Sequence, residues 1–219
     1  MIEAVVFDLD GVLVDSEPVW EQVRRELVAE RGGHWARDAQ RRLMGMSTAE
    51  WAAYLSRDLG VGLPPGQVAT LVIDRMTARY AEHVPLMDGA ADAVYRIAAR
   101  WPLGVASSSP PRLIETVLRS AGLRPCFSVV LSTEQVARGK PAPDIYLAVA
   151  AALGFPPGDC AAVEDSANGL RSAAAAGLRV IAIPQSRYPP APDALARASL
   201  VLPGLAGLTV DAVAALATS

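Results

Sequence analysis

The hydrophobic pattern changes rhythm along the chain. Residues 4–7 form a short continuous apolar run, the pattern of a strand buried on both faces. From residue 16 to residue 83 the apolar positions recur at helical spacing. Val19, Val23, Leu27 and Val28 build one face, with Arg24, Arg25 and Glu26 elsewhere. A Gly32-Gly33 break separates this helix from a second over 37–43, and Gly45 marks the next break. Ser47, with Glu50 three residues on, has the form of a capping box that opens a helix to residue 59. Gly60, Gly62 and Pro64 end it, and a fourth helix covers 65–82.

After residue 85, strand and helix alternate. Strands are predicted over 103–106, 127–131, 161–163, 180–183 and near 200. Helices are predicted over 88–100, 112–121, 144–153, 167–176, near 193 and from 209 onward. This alternation predicts an α/β fold: a Rossmann-like parallel sheet covered by helices on both faces. Its first strand precedes the helical stretch and the others follow it. Residues 15–84 therefore read as an inserted all-helical domain, and residues 1–14 with 85–219 as a discontinuous core.

Composition narrows the class. A chain of 219 residues, 52% hydrophobic and 20% charged, suits a compact core with an added lobe and not a disordered segment. Net charge is -3 without a basic cluster, which argues against a nucleic-acid partner. No charged-then-apolar leader and no apolar stretch of membrane-spanning length is present, so no membrane partner is expected. Cys126 and Cys160 sit in or beside apolar runs and read as free thiols of a reducing compartment. A cytoplasmic monomer is the expectation. Lys140 is the sole lysine among 20 basic residues. Where arginine serves everywhere else, a retained lysine points to a role for a compact ammonium. Asn168, the sole asparagine, invites the same reading.

In an open parallel sheet, ligands bind beyond the carboxyl ends of the strands. The first strand is followed by Asp8 and Asp10, a residue type disfavoured in strands and costly to bury unpaired. The second is followed by Ser107-Ser108-Ser109, and the third by Ser132-Thr133-Glu134 and then Lys140. The fourth is followed by Glu164-Asp165-Ser166. Singly, each group has an ordinary reading: a turn for the aspartates and Ser107, a solvated loop charge for Lys140, acids at a helix N-terminus for Glu164 and Asp165. Together, carboxylates, hydroxyls and the lysine converge on one sheet edge. Facing acidic pairs repel without a cation, so the set suits a divalent cation and a phosphate.

The string Asp8-Leu9-Asp10-Gly11-Val12-Leu13-Val14-Asp15-Ser16-Glu17 after a buried strand resembles the first signature of the haloacid dehalogenase-like (HAD) hydrolase superfamily. The other three strand ends resemble its remaining signatures, in order, over essentially the full chain. The resemblance is to the phosphoglycolate phosphatase and β-phosphoglucomutase-like branch. It implies a Mg²⁺-dependent phosphomonoester hydrolase acting on a small phosphorylated metabolite such as a sugar, polyol or glycolate phosphate. By that resemblance Asp8 is the nucleophile that forms an aspartyl-phosphate, and Asp10 is the general acid and base. Ser107, Ser108 and Lys140 would bind the phosphate. Mg²⁺ would sit on Asp8, the Asp10 backbone carbonyl and Asp165, with Glu164 either a ligand or a support behind one.

The helical lobe is similar to the family's mobile cap, which selects the substrate, and Glu17, Trp20, Arg42 and Ser47 are its candidate contacts. Trp20 either stacks on a sugar or packs the lobe, and packing is the commoner use of an aromatic. The sugar-phosphate mutases of the branch carry a histidine where Trp20 stands and an arginine where Thr48 stands, which favours a phosphatase over a mutase. A catalytically silent binding module would be expected to lose Asp8, Asp10 or Lys140, and all three are present. Other hydrolase chemistries find no support. His34 and His83 are far in sequence from the strand-end serines, and neither cysteine has an arginine six residues on.

Overall fold

The computed structural model describes residues 1–44 and 46–218, so Gly45 lies outside the described residues. In chain order the first elements are β1 (Ala4–Phe7), α1 (Glu17–Glu30), α2 (Ala39–Leu43), α3 (Thr48–Arg57) and α4 (Pro65–Glu82). Next come α5 (Ala90–Ala98), β2 (Leu103–Ser107), α6 (Pro111–Ser120), β3 (Phe127–Ser132) and α7 (Asp144–Leu153). The chain closes with β4 (Cys160–Glu164), α8 (Ala167–Ala175), β5 (Arg179–Ala182), α9 (Pro192–Leu195), β6 (Leu200–Val201) and α10 (Val210–Ala214). These elements fall into two compact units, Met1–Asp15 with Val84–Ser219, and Ser16–His83. No helix among the described residues is long and apolar enough to cross a membrane.

The first unit is a six-stranded sheet in the order β3-β2-β1-β4-β5-β6, with every pairing parallel. Chain direction across the sheet reverses between β1 and β4, where crevices open in such sheets. Every residue of β1, β2 and β4 is buried, which is why their sequences are continuous and not alternating. Strand β4 runs one residue beyond its apolar pattern and takes in Glu164, fully buried. Helix α7 lays Ile145, Tyr146, Val149 and Ala150 against Ala4, Val6 and Ala106, while Leu170 and Ala173 of α8 join the same core.

The two segments that connect this sheet to the inserted residues lie side by side. Asp15 N–H donates to the Pro85 carbonyl at 2.9 Å, and Met87 N–H donates to the Leu13 carbonyl at 2.9 Å. Val14 forms an antiparallel bridge with Leu86 between them.

The second unit is helical. Val23, Leu27, Leu55, Val68, Val72 and Met76 fill its interior. Arg75 with Glu30 (2.6 Å) and Arg79 with Glu26 (2.7 Å) tie α4 to α1 at the surface. The capping box opens α3: Ser47 Oγ accepts from Glu50 N–H, and Ser47 N–H donates to Glu50 Oε2 at 2.8 Å. Helix α2 starts at Ala39, two residues later than the pattern predicts, because Arg37 and Asp38 form a turn ahead of it.

Candidate active site

Four strand ends and one loop build the site. Asp8 follows β1 directly, and its N–H still donates to the Val163 carbonyl of β4 (3.0 Å), which holds its backbone in register at the point where the strand order reverses. Gly11 then turns the chain with φ +82°, and a Cβ there would stand 2.1 Å from Asp165 Oδ2. Only glycine lets that backbone lie against the Asp165 carboxylate. Lys140 arrives on the loop before α7. Ser172 Oγ of α8 ties that loop down by donating to the Ala142 carbonyl at 2.6 Å, and Arg138 pairs with Asp144 across it at 2.9 Å.

Lys140 Nζ donates to Asp8 Oδ1 at 2.7 Å and to Glu164 Oε1 at 2.6 Å, with only 5% of its side chain exposed. Tyr146, fully buried on α7, donates its hydroxyl to the same Glu164 Oε1 at 2.7 Å, and its ring centroid lies 5.1 Å from Lys140 Nζ. Glu164 Oε2 accepts from Asp165 N–H, Ser166 N–H and Ser166 Oγ at 3.1–3.3 Å. Both oxygens of Glu164 are therefore occupied by protein donors. A Cβ on Gly169, in the first turn of α8, would lie 1.9–2.0 Å from that carboxylate, so a bare backbone is what lets the helix start pack on it. On the other side of Asp8, Ser109 Oγ donates to Asp10 Oδ2 at 2.7 Å, and Ser107 Oγ lies 3.4 Å from the same oxygen.

The electrostatics are those of crowded acids around one ammonium. For Asp8, burial, reinforced by Glu164 and Asp10, outweighs Lys140 and pushes the carboxyl from its ordinary 3.8 up to about 8. Burial likewise pushes Asp165 well above the carboxylate range, with Glu164 and Asp8 adding to it. For Lys140 burial opposes the charge, but Asp8 and Glu164 outweigh it and hold the ammonium above the usual lysine range. Burial and the Glu164 carboxylate raise Tyr146, which keeps its proton as the donor. Asp8, Glu164 and Asp165 each place an oxygen within 4.8 Å of the others. Asp165 Oδ1 is buried with no hydrogen-bond partner among the described residues. An all-oxygen donor set with one orphaned carboxylate oxygen fits a hard divalent cation, which would return Asp8 and Asp165 to their ionised forms.

A model of haloacid dehalogenase-like hydrolases matches residues 2–177. The chain belongs to that family. It is 35% identical to hexitol phosphatase B of Escherichia coli over 189 residues, 84% of each chain. The structure of CbbY from Rhodobacter sphaeroides in complex with phosphate superposes with a TM-score of 0.84 at 33% identity, over 95% of this chain and 96% of that one. A variant of the same CbbY in complex with xylulose-1,5-bisphosphate gives a TM-score of 0.82 at 32% identity, over 94% and 96%.

Within this HAD hydrolase, Asp8, Asp10, Ser107, Lys140, Glu164 and Asp165 all gather at the sheet edge. Ser108 is exposed between two buried neighbours. The substrate candidates Glu17, Trp20, Arg42 and Ser47 all fall in the helical unit. There Trp20 is buried against Trp51, with ring centroids 6.0 Å apart, and the Arg24 guanidinium lies over both rings (4.6 and 5.1 Å), which is the packing use of that tryptophan. Arg42 lies over the Tyr54 ring at 4.5 Å, and Ser47 Oγ donates to Glu50 Oε2 at 2.7 Å within its cap. Glu17 accepts from Gln40 Nε2 at 2.7 Å. Of the residues at the sheet-edge site, Tyr146 is not singled out in the sequence, and Ser109 is singled out there only within Ser107-Ser108-Ser109, with no role of its own. Tyr146 is one apolar-looking position in an apolar helix, and Ser109 is the third of three equivalent serines.

Proposed function

We propose that this chain is a Mg²⁺-dependent phosphomonoester hydrolase acting on a small phosphorylated metabolite: a sugar, polyol or glycolate phosphate. The observation that carries the reading is the buried pair of Asp8 with the sole lysine, at the end of β1 and beside the orphaned oxygen of Asp165. Hexitol phosphatase B, by its name, acts on phosphorylated hexitols, and the CbbY structures hold phosphate and a sugar bisphosphate. Those neighbours make a polyol or sugar phosphate the first class to try.

Asp8 attacks phosphorus, and the bond from phosphorus to the leaving oxygen breaks as the aspartyl-phosphate forms. Asp10 gives its proton to that leaving oxygen, then takes one from the water that cleaves the aspartyl-phosphate. Lys140 offsets the negative charge that Asp8 and the phosphoryl oxygens bring together, and Ser107 donates to one of those oxygens, with Ser108 beside it. Asp8, Asp165 and the Asp10 carbonyl would hold Mg²⁺, which supplies further positive charge at the phosphoryl group. Glu164, with both oxygens engaged, holds Lys140 from behind. The helical unit acts as the substrate-selecting cap, with Glu17, Arg42 and Ser47 its candidate contacts. The protein works as a cytoplasmic monomer, a setting in which the free thiols Cys126 and Cys160 stay reduced.

Phosphate release from a panel of phosphomonoesters, with Mg²⁺ and with EDTA, tests the reading in wild type and Asp8→Asn. Magnesium-dependent release that the substitution abolishes is the expected result. Isomerisation of β-glucose 1-phosphate without net phosphate release would replace the reading with a mutase.

A further inference from the structure

The last of the three serines at the end of β2 is placed differently from its neighbours. Ser109 is 6% exposed, and its backbone is pinned from two sides, while Ser107 Oγ stands farther from Asp10 Oδ2, at 3.4 Å. Its N–H donates to Ser107 Oγ at 3.0 Å, and its carbonyl accepts from Ser132 Oγ at 2.7 Å. Ser132, the last residue of β3, is itself fully buried, so the ends of β2 and β3 together fix this turn. The one group left to Ser109 is its hydroxyl, and that points at Asp10 Oδ2 at 2.7 Å. Asp10 needs such an anchor. It is only partly buried, and it sits past the end of β1 just before the turn at Gly11.

We infer that Ser109 is the positioning residue for Asp10, holding its carboxyl group so that Oδ1 faces the substrate's bridging oxygen. The inference rests on the phosphomonoesterase reading above and assigns the two oxygens different tasks. Oδ2 accepts from Ser109 throughout. The proton that moves is carried on Oδ1: it passes to the leaving oxygen as the phosphorus–oxygen bond breaks, and it is regained from the attacking water in the second step. Ser109 keeps its own proton and touches neither substrate nor phosphoryl group. A hydroxyl bound to one carboxyl oxygen, and itself anchored on a rigid turn, limits rotation of the Asp10 side chain about its own bonds.

A positioning role of this kind has a mark that a packing role lacks. Protonation matters most when the leaving oxygen is a poor leaving group, as in a sugar phosphate, and least for p-nitrophenyl phosphate, whose phenolate departs unaided. The test is kcat/KM, which reports formation of the aspartyl-phosphate, across phosphomonoesters that span this range, for wild type and Ser109→Ala. The expected result is a loss of about tenfold for sugar phosphates and under about threefold for the aryl phosphate, the size one hydrogen bond supports. The dependence on leaving-group pKa then becomes steeper in the variant. Ser109→Cys, which fills the same volume with a weak donor, carries the same test if the alanine variant fails to fold. An equal loss for all substrates would mean that Ser109 acts on the phosphoryl group or on the fold, and would overturn the inference; so would no loss. Wild-type protein that releases phosphate from none of these esters would overturn the phosphatase reading and this one with it, whereas wild-type turnover with equal losses removes only the role of Ser109.

Discussion

Lys140 shows what a single residue type contributes here. Its ammonium fits a nearly closed slot between Asp8 and Glu164, reached by an unbranched stem that passes the Tyr146 ring. Arginine keeps the charge but brings a planar fork too wide for two carboxylates that share one nitrogen. Lys140→Arg is therefore expected to lower kcat by about 10²-fold or more, the scale of losing one preorganised donor, while the thermal melt stays cooperative. A steady-state comparison at saturating substrate checks it. Tyr146→Phe makes the complementary change, keeping the ring and removing one of the two donors on Glu164 Oε1. It should cost about 1.5–3 kcal/mol of stability in urea titration, the range for a hydrogen bond to a charged group. The sequence marks Lys140 because it is the exception in an arginine-biased chain. It hides Tyr146, because Asp144–Leu153 reads as an apolar helix face and the hydroxyl becomes meaningful only once α7 lies beside the end of β4.

At the scale of elements, the site depends on how closely α8 starts against β4. Ser166 caps the helix by accepting from Gly169 N–H at 3.1 Å, and the same residue's N–H and Oγ donate to Glu164. The helix N-terminus thus faces a carboxylate, the favourable polarity for its dipole. In an exposed helix, glycine to alanine is stabilising by up to about 1 kcal/mol. Gly169→Ala should reverse that sign, because its Cβ overlaps the Glu164 carboxylate, and should lower kcat as Lys140 loses its backstop. A chemical denaturation midpoint that moves upward would count against this packing account. The parallel sheet follows from the alternation of apolar runs with helical segments, and so the strand-end acids and Lys140 were legible in the sequence. What the alternation cannot supply is that Ser109 turns inward beside Ser107 while Ser108 does not, since that depends on the bond from Ser132 at the end of β3.

Across the whole molecule the crowded acids couple stability to pH and metal. An acid whose pKa is higher folded than unfolded binds its proton more tightly when folded. Its stabilising effect is complete below the unfolded value and lost as pH rises through the folded one. For Asp8 that window runs from 3.8 to about 8. Metal-free protein should therefore lose stability as pH rises through it, by at most about 1.4 kcal/mol per pH unit for one such carboxylate. Asp8→Asn should remove that part of the slope, and Mg²⁺ should flatten it while raising the melting temperature. Thermal melts of both proteins in EDTA and in Mg²⁺ check the difference; identical slopes for the two in EDTA would contradict it.

The pairing of Leu13–Asp15 with Pro85–Met87 carries a consequence of another kind. Because the core joins the two ends of the insertion itself, it meets those helices as a single loop, whose closure entropy grows only with the logarithm of its length. Residues 16–83 are in that respect a replaceable part. A lineage built on this core can lengthen, exchange or discard the insertion with little penalty to the sheet, so the chemistry at the strand ends and whatever the helices contribute are free to diverge at separate rates.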